Sequence, residues 1–105
     1  MSLTLTSKTA VVPAGGEATF AVVPDEPLRV TAVRLAAAHP DLNVVWVSVG
    51  HMILAAFNAR VPWCPAGMPI LVLVESLSGS QDLPVQVEVE GDTAPDEGAE
   101  GKAAP

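Results

Sequence analysis

The sequence predicts an all-β fold: a small antiparallel β-sandwich, jelly-roll-like, with six to eight short strands and a flexible acidic C-terminal tail. Three observations predict it. The body is rich in valine, which favours pleated, half-buried strands. Ten prolines are scattered through the chain, too many for long helices. Short runs in which apolar and polar residues alternate recur at intervals of about ten to fifteen residues, separated by Pro/Gly turns.

Each element follows from the order of residues. Leu3, Leu5 and Ser7 alternate with Thr4, Thr6 and Lys8, predicting a strand that runs to about Val12. Pro13-Ala14-Gly15-Gly16 then turns the chain, because proline fixes one dihedral and glycine permits positive φ. Ala18, Phe20 and Val22 against Glu17, Thr19 and Ala21 give the second strand, which Pro24-Asp25-Glu26-Pro27 ends. A third strand fits residues 28–36. Its phase slips after Ala32, and a bulge near Ala32 and Val33 accounts for the slip. Residues 42–49 form a fourth strand ending at Gly50. Residues 51–60 read as a covering loop or a short helix, since Ile53, Ala56, Phe57 and Arg60 share one side of a helix. After Pro62, Pro65 and Pro69 comes the strand 70–74, then a Ser/Gly turn over 76–81. Val85, Val87 and Val89 alternate with Gln86, Glu88 and Glu90 in a final strand with one face to the core and one to water.

Two of these strands, 42–49 and 70–74, are apolar on both faces. A strand in a small antiparallel sheet normally shows water one polar face, so these two need cover on both sides. If Val45, Val47, Val49, Leu71 and Leu73 line the second face, burying them is worth roughly 1.5–3 kcal/mol each, about 8–15 kcal/mol together. That equals the whole stability of a typical domain. The cover comes either from residues 51–60 folding back or from a neighbouring subunit. The predicted contact surface is Val45, Val47, Leu71 and Leu73 with Met52, Ile53, Leu54 and Phe57 from the following segment.

Composition divides the chain in two, a sandwich domain over 1–90 and a disordered tail over 91–105. The tail holds four acids, three Gly, two Pro and four Ala around Lys102, with no large apolar residue. Such a segment cannot bury enough surface to offset the entropy of ordering it. Net charge is −7 over the 105 residues, and the few basic residues of the body, Lys8, Arg29, Arg34 and Arg60, form no cluster. Nucleic-acid binding through the phosphate backbone requires such a cluster. Cys64 is the single cysteine, which rules out an intrachain disulfide. The opening residues lack the basic start and continuous apolar stretch of a signal peptide. No apolar run approaches the roughly 20 residues that span a bilayer.

The chemistry-bearing residues are sparse. His39, Cys64 and Met68 are part of the ligand set of a blue-copper site, but the second histidine is missing, because His51 precedes the cysteine. No cofactor and no metal are therefore expected. A nucleophile needs a base and an orienting group beside it, and the only imidazoles are His39, before Pro40, and His51, after a turn glycine. Asp25, Glu26, Asp41 and Asp82 adjoin prolines or turns, where acids serve local hydrogen bonds. Gly15-Gly16 is too short for a phosphate loop. The sequence predicts no enzyme. Trp46 and Trp63 leave one other class open, a small module that binds carbohydrate or peptide.

Four stretches carry a family likeness: residues 12–20, Val-Pro-Ala-Gly-Gly-Glu-Ala-Thr-Phe; the strand start 27–30; Val47-Ser48-Val49-Gly50; and Cys64-Pro65-Ala66-Gly67-Met68 leading into 70–74. With them the body resembles the small β-sandwich capsid decoration, or cement, proteins of tailed bacteriophages, over about residues 11–80. The resemblance implies a non-enzymatic virion protein on the capsid surface, assembled in the host cytoplasm. Its implied partners are further copies of itself, often as a trimer, and the major capsid protein.

Overall fold

The computed structural model describes residues 2–54 and 61–93. These residues form nine β-strands and no helix: β1 (Ser2–Thr6), β2 (Ala10–Val12), β3 (Glu17–Val22), β4 (Leu28–Leu35), β5 (Leu42–Val49), β6 (Met52–Ile53), β7 (Ile70–Ser76), β8 (Leu83–Val85) and β9 (Val87–Thr93). All pairings are antiparallel. One sheet has the order β1-β9-β4, a second β3-β7-β5-β6, and β2 pairs with β8 in a short third sheet. The predicted sandwich is present, its two main sheets facing each other across a valine-rich core.

Period-two alternation puts one side of each strand into that core. The three-stranded sheet contributes Leu28, Val30, Val87 and Val89, and the four-stranded sheet Phe20, Val22, Ile70, Val72 and Val74. Gly91 continues the inward series of β9. A Cβ there would come within 2.6 Å of the Arg29 carbonyl oxygen and 2.8 Å of Leu28 Cγ, so only glycine fits beneath Leu28. The predicted tail therefore begins too early: Gly91, Asp92 and Thr93 belong to β9, paired with Val30, Arg29 and Leu28. Residues 94–105, the rest of that segment, lie outside the described residues.

The single N-terminal strand of the prediction is two strands. Between β1 and β2 the chain bends at Ser7, directly opposite the break at Gln86 between β8 and β9. Ser7 is buried, and its polar atoms replace the interrupted ladder. Its N–H donates to Val87 O (2.8 Å), its Oγ accepts from Val87 N (2.9 Å) and donates to Lys8 O (3.0 Å), and its carbonyl accepts from Gln86 Nε2 (3.0 Å). Buried polar groups stay paired in this way because an unpaired one costs about 1–3 kcal/mol. The result is a bent double ribbon whose β2–β8 part forms the short third sheet.

Two bulges set the phases. In β4 the register shifts between Val30 and Ala32, so Thr31 is the extra residue, one position before the predicted bulge. In β5 it shifts between Val44 and Trp46, making Val45 the extra residue. One inserted residue reverses which face every later side chain takes. Val47 and Val49 are thereby buried in the core beside Val72 and Ile70. This corrects the prediction that Val47 and Val49 line the outer face.

Candidate interaction surface

The outer face of the four-stranded sheet can be read in rows across its strands. The first row is polar: Glu17 opposite Glu75, and Glu75 opposite Asn43, whose Nδ2 donates to Glu75 Oε2 at 3.1 Å. The second is Thr19, Leu73 and Trp46. The third is Ala21, Leu71, Ser48 and Ile53. Leu71, Leu73 and Trp46 are half-buried, while Ile53 is 64% exposed and the bulge residue Val45 is 45% exposed. The middle and upper rows thus form an apolar patch with an acidic end.

Of the predicted contact residues, Val45, Leu71, Leu73, Met52 and Ile53 keep accessible surface, and Leu71, Leu73 and Ile53 stand together on this face. Met52 and Ile53 form a strand paired with Val49 and Ser48, which replaces the predicted loop or helix at this point. Leu54 is partly buried against the core, its N–H donating to Val47 O at 2.8 Å. Phe57 lies outside the described residues. Trp46 was not among the predicted contacts; its signal was its place in an apolar strand, and the bulge brings it to the outer face.

A second feature lies at the end of the sandwich where β5 turns into β6. Gly50 makes this turn with φ of +60°, and a Cβ on it would meet Met68 Sδ at 3.0 Å. Val49, Met52, Pro62, Trp63, Pro65 and Met68, with Gly50 and His51, line an open cleft of about 650 Å³. The far wall is fixed by backbone bonds. Leu28 and Cys64 exchange two, at 2.6 and 2.9 Å, and Gly67 N donates to Pro24 O at 2.9 Å. Cys64 is buried, and its Sγ lies 3.2 Å from Met68 O and 3.6 Å from Pro65 O. Burial pushes its thiol above the ordinary range, which keeps it protonated and a poor nucleophile.

The chain matches no protein-family model, no curated protein and no solved structure. Geometry then has to supply what a relative would. Among the described residues no three His, Cys, Asp or Glu side chains converge on a common point. His39 serves its own turn, Nδ1 accepting from Asp41 N at 3.1 Å. His51 lines the apolar cleft. Of the described carboxylates, Glu88, Glu90 and Asp92 pair with arginine, Glu75 accepts from Asn43, and Asp82 accepts from the Ala14 N–H at 2.9 Å.

Proposed function

We propose that the protein is a non-enzymatic structural component of a phage particle, a capsid decoration protein that associates with copies of itself and docks on the shell. The observation that carries this reading is the apolar patch of Trp46, Leu71, Leu73 and Ile53 on the outer face of the four-stranded sheet. Patches of this kind mark contact sites, and interfaces typically join an apolar middle to a polar rim. The acidic row of Glu17 and Glu75 supplies such a rim. The resemblance of the sequence motifs to cement proteins supports the choice of a capsid as the setting, with the major capsid protein as partner and a trimer as the expected assembly.

Leu71→Glu tests the reading, because it places a charge in the middle of the patch without touching the core. Light scattering after size exclusion measures assembly, and co-sedimentation with phage heads stripped of decoration protein measures docking. The wild type is expected to form a defined oligomer and to sediment with heads, the variant to run as a folded monomer and stay in solution. A wild type that is monomeric at micromolar concentration and ignores heads overturns the proposal.

A further inference from the structure

The cleft at the β5–β6 turn is separate from the outer face of the four-stranded sheet and has its own chemistry. Its volume of about 650 Å³ lies within the roughly 300–1,000 Å³ of ordinary ligand sites. Met52 is 54% exposed and Trp63 41%, unusual exposure for two large apolar side chains facing one hollow. Trp63 is nevertheless held in place: the Arg29 guanidinium stacks 5.4 Å from its ring centre and is itself tied to Asp92 at 3.1 Å. Such support lowers the entropy lost when a partner binds. With Arg29 stacked on the ring, Trp63 offers the cleft a braced apolar wall.

The connection beside one wall sets the sign of the partner's charge. The connection from Pro24 to Leu28 runs beside the Cys64–Gly67 wall, held by the Pro24–Gly67 and Leu28–Cys64 backbone bonds. It carries Asp25 and Glu26, both exposed and, among the described residues, without an ion-pair partner. We propose that the cleft docks a short segment of a partner protein, one that inserts an aliphatic or proline side chain flanked by lysine or arginine. The apolar walls take the inserted group. The two free carboxylates attract its flanks, and the chain's net charge of −7 disfavours acidic competitors.

Selection of a random peptide library on the immobilised full chain tests this, with counter-selection on Trp63→Ala. Enriched sequences are expected to place Lys or Arg next to Pro, Leu, Ile or Val. A synthesised winner, titrated against a Trp46→Phe background so that Trp63 alone reports, should give a saturable change in emission. Asp25→Asn with Glu26→Gln should weaken that binding about five- to tenfold, an effect lost at high salt. Met52→Lys, at an exposed position that does not challenge folding, should abolish it. Leu71→Glu should leave it unchanged, which separates this site from the proposed shell contact. No enrichment over Trp63→Ala, winners lacking basic residues, or binding indifferent to Asp25 and Glu26 would each overturn the proposal.

Discussion

The two outer faces of the sandwich meet water in opposite ways. On the three-stranded sheet, β9 presents Glu88, Glu90 and Asp92, and β4 answers with two arginines. Arg34 Nε reaches Glu88 at 3.0 Å and its Nη1 reaches Glu90 at 3.0 Å, while Arg29 takes Asp92. The hydrogen bonds that Arg34 donates to Glu90 and then to Glu88 raise its pKa further above its already high value, so the guanidinium stays charged at every accessible pH. On the four-stranded sheet Glu17 faces Glu75 with no cation between them among the described residues, and the next two rows are largely apolar. One face completes its own interactions. The other leaves them incomplete, and incompleteness of that kind is what a partner can use.

Neighbouring residues of β7 offer the sharpest way to break this contrast, since Ile70 points inward and Leu71 outward. Ile70→Ala should cost about 2–5 kcal/mol, the usual loss for a buried aliphatic truncated in a packed core. Urea unfolding of the isolated chain measures it. Leu71→Ala should cost well under half as much in the same assay while weakening assembly in light scattering. Equal losses at both positions would mean that the outer face is packed as firmly as the core.

The charged face should respond least. Arg34→Gln is expected to leave the unfolding midpoint almost where it was in low salt and unchanged in high salt, because exposed ion pairs contribute little and are screened. Assembly should not notice it. A large shift would show that the ladder, and not the core, holds β4 to β9.

Alkaline pH acts on neither face. The folded state holds the Cys64 proton more tightly than the unfolded chain does. Its contribution is therefore complete below the ordinary thiol range and is lost as pH rises through the raised value. Urea midpoints should fall on that limb in the wild type and stay flatter in Cys64→Ala. Parallel slopes would assign the loss to other groups.

How far the sequence could be read depended on whether polarity marked the phase. In β4 the bulge was legible within one residue, because Thr31 and Arg34 are polar on either side of the slip and only a two-for-one pairing puts both outside. In β5 the extra residue is Val45 within Val44-Val45-Trp46-Val47, where every option is apolar. Asn43 and Ser48, five positions apart and both on the outer face, are the one local sign of the slip, and the apolar run between them hides it, so Val47 falls on the wrong face in the sequence reading. The bend at Ser7 depends on Gln86, some eighty positions away. The cleft depends on the Leu28–Cys64 bridge, which joins segments far apart in the chain. Pairings of that kind leave no periodic trace in either partner.

The pairing of β1 with β9 has a consequence for how the chain comes into being. Ser2 lies opposite Asp92, so β1 waits for β9, some ninety positions later. The closing contact spans nearly the whole domain, and its loop entropy must be met before the ladder gains anything. The three-stranded sheet can therefore form only once β9 is clear of the ribosome. Until then the apolar sides of β1 and β4 lack their partner strand, and this domain is at its most adhesive just before β9 joins it.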